Sequence, residues 1–295
     1  MSFDSSPAES GGASQGGEED FAHPRLRGAW PALLTRPTFT LSAIIVVWWM
    51  AVAIGWRWLD IDPFINTGAR LAPPSAEHWF GTDRIGRDVF ARVLAGAESA
   101  LLIGPLGTAL ATVLGTSLGL VAGFHRGWVD QLLMRVFDVF VALPAVLFLL
   151  IIVGAFGSSP AVLAFAIGVL FAPGIARVVR AAVLVDMGKD YVPAARSQGE
   201  GSGRILLTEL LPNVWPQALV QATVTVAAAV FVAASLSFLG LAAAPPSPDW
   251  GLAVNENRAY LQGAWWTLAF PALAIASLVV SITLIGDNLK EVLRR

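Results

Sequence analysis

The sequence predicts an all-α integral membrane protein with six transmembrane helices and both termini in the cytoplasm. Three observations predict it. The 295 residues are 56% hydrophobic and only 14% charged, with a mean hydropathy of +0.67, and so little charge cannot clothe a soluble domain of this size. Six apolar stretches reach the roughly 20 residues that a helix rising about 1.5 Å per residue needs to cross about 30 Å of hydrocarbon. Threading the chain through six passes also gathers most Lys and Arg on one side, as the positive-inside rule requires.

In chain order, residues 1–38 open with "MSFDSSPAESGGASQGGEED", a small, polar and acidic stretch. It reads as a disordered cytoplasmic tail, because it lacks the basic start and apolar core of a secretory leader. The first span is placed at 39–59, after Arg25, Arg27 and Arg36. An outer segment, 60–98, follows. Within it Val89, Phe90, Val93 and Leu94 recur at helical spacing against Arg87, Asp88 and Arg92, which predicts an amphipathic helix at the outer interface or on neighbouring spans. Residues 99–295 form a five-helix core with spans at 99–124, 132–156, 160–183, 214–241 and 264–286. Under this topology Arg126, Arg135, Arg177, Arg180, Lys189, Arg196, Arg204, Lys290, Arg294 and Arg295 join the N-terminal arginines inside, whereas Arg57, Arg70, Arg84, Arg87, Arg92 and Arg258 fall outside.

Three features of the spans carry structural meaning. Gly107, Ala111, Gly115, Gly119 and Gly123 recur every four residues, which lines up small side chains on one helix stripe and lets another backbone approach closely. Pro144, Pro173 and Pro271 each fall inside a span, where a missing amide and a ring clash bend a helix; such kinks suit a protein that rearranges and also occur in static spans. Arg135 and Asp138 stand three residues apart near the inner end of the third span, a spacing that predicts a pair on one helix face with a structural or coupling role.

Several function classes are excluded. A net charge of -2, with arginines scattered between apolar blocks, argues against nucleic acid as a partner; the lipid bilayer is the partner that composition demands. Cysteine is absent, and His23, His78 and His125 stand isolated, so neither a thiolate nucleophile nor a metal site is predicted. No phosphate-cradling GxxxxGK[ST] loop occurs, since the Gly188–Lys189 pair leads into Asp190. Deep in the spans only scattered hydroxyls such as Ser235, Ser237 and Thr283 are on offer, which is no catalytic constellation. No catalytic, cofactor or metal residues are therefore assigned.

Between the fourth and fifth spans the chain runs "DYVPAARSQGEGSGRILLTELLPNVWP", Asp190 to Pro216, and interrupts its apolar pattern with charge. Asp190 is placed to cap a helix starting near Tyr191, with Pro193 in the first turn, where a missing amide is harmless. Gly199, Gly201 and Gly203 break it, and a second helix is predicted from Ser202 to Leu211, before Pro212. The result is a cytoplasmic projection at 184–213 with an apolar side through Val192, Ile205, Leu206 and Leu210. A docking knob and an amphipathic loop resting on the membrane both fit that pattern. On the other side of the membrane, Ala244 to Gly251 ("APPSPDWG") is stiffened by Pro245, Pro246 and Pro248 into a wall or lid.

The pattern "DYVPAARSQG" followed by "ELLPN" resembles the cytoplasmic EAA loop of ABC importer permeases, and the blocks "HWFGTDRIGRDVFARV", "GWVDQLLMRVFDVFVALP", "SLSFLGLAAAPPSPDWG" and "AWWTLAFPALAI" resemble its dipeptide, oligopeptide and nickel branch from His78 to the C-terminus. The resemblance implies a type I importer permease fold. It further implies a second homologous permease, two ABC ATPase domains or subunits that carry ATP and Mg²⁺, and an extracytoplasmic substrate-binding protein. Asp190, Tyr191, Val192, Pro193, Ala194, Ala195, Arg196, Gly199, Leu211 and Pro212 would then form the ATPase-coupling loop, with Pro193 standing where the family's glutamate is usual and Glu209 where relatives are often basic. Ser247, Pro248, Asp249 and Trp250 would contact the binding protein. Di- or oligopeptides are the substrate implied first, with nickel chelates or another small solute as alternatives. A stand-alone secondary transporter, coupled through Arg135 and Asp138, is the other reading the intramembrane charges allow.

Overall fold

A backbone in hydrocarbon must satisfy its own hydrogen bonds, and these apolar segments do so as helices. The structure is a computed structural model and describes residues 33–293; Arg25, Arg27, most of the expected N-terminal tail, Arg294 and Arg295 lie outside the described residues. The helices are α1 (Pro37–Gly55), α2 (Val89–His125), α3 (Gly127–Ala142), α4 (Ala145–Phe156), α5 (Pro160–Asp186), α6 (Tyr191–Ser197), α7 (Ser202–Phe238), α8 (Trp250–Asn257) and α9 (Trp266–Leu293). Among the described residues α1, α2, α5, α7 and α9 are long and apolar enough to cross a membrane, and α3 with α4 makes a sixth, broken passage.

Three expected elements are corrected. The outer amphipathic helix and the second span are one helix of 37 residues, α2, whose N-terminus is capped by Asp88 accepting from the Ala91 amide at 3.0 Å. Of the two placements its sequence allows, its Val89, Val93 and Leu94 take the one on neighbouring spans, in a core with Trp49, Trp250, Trp266 and Leu278, and Arg87 and Arg92 on its polar side are buried as well. The third span breaks at Leu143–Pro144, where α3 and α4 meet at 92°. Leu143 is extended, as a residue before proline prefers, and Pro144 has no amide to continue the ladder. By contrast, α5 and α9 run through Pro173 and Pro271 unbroken. The fifth span does not begin after Pro212: α7 runs from Ser202 through it, because a wide π-helical turn at Ile205–Leu210 precedes the proline and relaxes the demand for its amide.

The small-residue stripe is where two backbones meet. A Cβ added at Gly115 would sit 2.7 Å from the Ala172 carbonyl oxygen, at Gly119 2.6 Å from that of Ala176, and at Gly123 2.7 Å from Val183 Cβ. Thus α2 and α5 run parallel and pack with nothing but hydrogen between them at these points. Around this pair sit three apolar clusters. One, with Trp49 and Trp266, lies towards the end expected outside; another, with Leu149, Leu163, Ile167 and Leu236, joins α4, α5 and α7; the third, with Phe124, Val183, Val192 and Leu210, lies at the end expected in the cytoplasm. Gly119→Ala should lower the thermal midpoint of the detergent-solubilised protein, overpacking of this kind costing about 1–3 kcal/mol. Gly154→Ala, on a helix face where an added Cβ meets nothing, should leave it unchanged or raise it; a scanning thermal-unfolding assay checks the contrast.

Candidate functional site

The projection is built from the end of α5 outward. Asp186, buried at that end, receives the Lys189 ammonium at 2.6 Å and the Tyr191 hydroxyl at 3.0 Å, which folds the chain back on itself. Burial pushes the Tyr191 phenol up to about 12, so it remains a neutral donor. α6 then starts at Tyr191, as its sequence predicts, but without the expected cap: the Asp190 side chain bonds no amide, Asp190 is itself in helical conformation, and its carbonyl accepts from Ala194 at 3.1 Å. Pro193, in the first turn, gives up no bond there.

One face of α6 is fixed and the other is free. Val192 and Ala195 are buried in the cluster that holds Phe124, Val183, Ile205, Leu210 and Val214, and the Arg196 guanidinium lies over the Phe124 ring at 5.4 Å. Termination follows from Gly199, whose φ of +81° only glycine adopts without strain. Its amide donates to Arg196 O at 3.0 Å, and that of Glu200 to Ala195 O at 3.2 Å, a Schellman closure. Pro193, Ala194, Ser197 and Gln198 are left exposed as a surface of small side chains. Leu211 and Pro212 lie between about two and three turns into the continuous helix that follows, Leu211 half-buried and Pro212 exposed.

The expected Arg135–Asp138 pair is corrected. Asp138 accepts instead from Arg177 of α5 at 2.9 Å, and Arg135 has no hydrogen bond or ion pair among the described residues. A same-helix pair at this spacing is worth only about 0.2–0.5 kcal/mol, so a guanidinium arriving from α5 displaces it. Nearby, Arg180 donates to Asp130 at 2.6 Å, and the two pairs tie α3 to α5.

At the opposite end a second constellation, not anticipated from the sequence, locks the outer segment to the bundle. Arg87 donates to Asp83 at 2.6 Å and to Glu256 at 2.7 Å, and all three side chains are almost fully buried. Arg92 donates to the carbonyls of Ser247 at 2.7 Å and Pro246 at 3.2 Å, and Trp250 to that of Val93 at 2.8 Å. Of the expected binding-protein contacts, Asp249 is buried as the cap of α8, accepting from the Leu252 amide at 3.0 Å, and Trp250 is buried beside α2; Ser247 and Pro248 are half-buried, and Ala244, Pro245 and Pro246 form the exposed tip. The signal available in the sequence was charge balance: three arginines in "DRIGRDVFAR" need carboxylates, and "NENR" at Asn255–Arg258 supplies one.

Comparison with known proteins decides what such a bundle with two capped ends is. A family model for the inner membrane component of binding-protein-dependent transport systems matches residues 115–295. The chain belongs to that family. The dipeptide transport system permease protein DppC of Alkalihalophilus pseudofirmus is 37% identical over 269 residues, covering 90% of this chain and 88% of the relative. The glutathione transport system permease protein GsiD of Escherichia coli O6:K15:H31 is 39% identical over 255 residues (85% and 84%), and the probable D,D-dipeptide transport system permease protein DdpC of E. coli K12 is 36% identical over 259 residues (87% and 87%). This inner membrane component is thus a multi-pass permease subunit of an ABC importer, and not an enzyme.

The two ion-pair environments of the permease should respond differently to neutralisation. Glu256→Gln removes one of the two carboxylates that pair the buried Arg87 guanidinium, leaving Asp83, and should cost about 1.5–3 kcal/mol, the worth of a charged hydrogen bond. Asp138→Asn, at an exposed pair, should cost less than about 1 kcal/mol; denaturant or thermal unfolding in one detergent separates the two.

Proposed function

We propose that this permease forms half of a translocation path for short peptides across the cytoplasmic membrane, and that ATPase subunits bearing ATP and Mg²⁺ drive it by docking on α6. The observation that supports this reading is the two-sided construction of α6. Its inner side is packed against the ends of α2, α5 and α7, so a push is delivered to the spans; its outer side offers Pro193, Ala194 and Ser197, side chains small enough for a partner's groove to close over. The projection belongs to the cytoplasmic side because it carries Lys189, Arg196 and Arg204, in agreement with the positive-inside rule. A second, similar permease completes the path, and a substrate-binding protein delivers the solute at the opposite end, where the exposed tip at Ala244, Pro245 and Pro246 is the surface offered to it.

The substrate class rests on the relatives. Those compared above are named for dipeptide, D,D-dipeptide and glutathione transport, all small peptides with a free carboxylate. Ala194→Asp tests the drive. Ala194 is exposed, so the fold is undisturbed, yet an unpaired carboxylate in a closed groove costs enough to lower ATP-driven uptake by at least about tenfold. Membrane abundance should stay at the wild-type level by immunoblot, and wild-type dipeptide uptake in this variant would end the coupling assignment. Deleting Ala195 is the poorer test, because that residue is buried.

A further inference from the structure

The Arg177–Asp138 pair is exposed, at 41% and 62% of the two side chains, although Arg177 lies nine residues inside the α5 end at Asp186. That is about 14 Å along the helix from its end, well inside the apolar run of α5. Charged side chains enter lipid only at large cost, so an ion pair this open is best served by a face turned to water. The helix that carries Asp138 agrees with this. Gln131, Arg135 and Asp138 fall at i, i+4 and i+7, a polar stripe along α3, and α3 buries little beyond Asp130 and Phe137. The stripe bears two guanidinium groups from Arg135 and Arg177 against one carboxylate, so it holds a surplus positive charge beside the passage.

We propose that Arg135 and Arg177, with Asp138 orienting Arg177, form an anion-accepting station on the wet face of α3 and α5 that takes the carboxylate of a short peptide on its way through. Only the identity of the solute rests on the transport reading above; the wet face does not. Asp138 holds one edge of the Arg177 fork, while Arg135, lacking a carboxylate of its own, presents a planar donor set that matches a carboxylate in bidentate fashion. Asp138 also offers a counter-charge to the ammonium of a zwitterionic peptide.

The chain contains no cysteine, so a single introduced thiol reports without background. Val139 is exposed and lies four residues from Arg135, one turn along the same stripe; Val47 is equally exposed in the middle of α1. In inside-out membrane vesicles carrying the assembled complex, Val139→Cys should react with a membrane-impermeant cationic thiosulfonate while Val47→Cys stays inert. A saturating dipeptide with a free carboxylate should slow that reaction about fivefold, the worth of one partly exposed ion pair, whereas its C-terminal amide should not. Adding Arg135→Gln should abolish the protection, and Arg135→Lys should restore part of it. A Val139→Cys as inert as Val47→Cys would place the stripe against lipid or the second permease and overturn the proposal. Equal protection by the amide, or protection that tracks the anionic lipid content and not the peptide, would overturn it as well. Labelling needs no ATP, so a complex that labels as expected but shows no ATP-driven uptake would reject the import reading and leave the station standing.

Discussion

The contact of α2 with α5 along the glycine stripe is the constraint on which the rest of the structure depends. Membrane helices gain nothing from hiding apolar side chains from lipid, so their association rests on close dispersion contacts, and these require backbones to approach. Gly115, Gly119 and Gly123 permit that approach along the inner half of both helices. Everything functional hangs from the pair: α5 ends in Asp186, which folds the α6 turn back, α2 ends in Phe124, on which Arg196 rests, and the other end of α2 carries Arg92 into the outer clamp.

Charge is used in three grades. At the outer end Asp83, Arg87 and Glu256 are fully withdrawn from water and fully paired, an arrangement whose worth lies in fixing one geometry for an irregular segment, because its Coulomb energy is largely cancelled by desolvation. Between α3 and α5, Asp130 and Arg180 are half-withdrawn and secure the foot of a poorly buried helix. Asp138 and Arg177 are open. Rigidity therefore falls from the outer end towards the broken passage of α3 and α4, and the elements able to change position are those whose charges remain hydrated.

Much of this was legible in the sequence because length and period are local signals. The apolar runs gave the passages, the four-residue recurrence of small side chains gave a close backbone contact on α2 though not its partner, and Gly199 gave the end of α6. What stayed hidden depends on partners far away in the chain. Pro144 breaks its passage while Pro173 and Pro271 do not, although all three stand in apolar runs. Arg87 and Arg92 look like a solvated face until Glu256, some 169 residues from Arg87, is brought beside them. Asp138 had a plausible neighbour at i-3, but its partner comes from another helix. The Asp190 cap failed for a local reason: its backbone is already helical, so its carboxylate points away from the amides it would have to meet.

The continuity of α7 has a mechanical meaning. A helix of 37 residues is a rod about 55 Å long, and its first turn lies in the projection while its last lies beside α8 at the far end. A loop joined to a separate span at Pro212 would absorb a small displacement in its own slack. A rod does not: pivoting by about 5° about its midpoint carries each tip through roughly 2.4 Å in opposite directions. An inward nudge at Ser202 thus arrives at Phe238 as an outward one, without any intermediate having to move first.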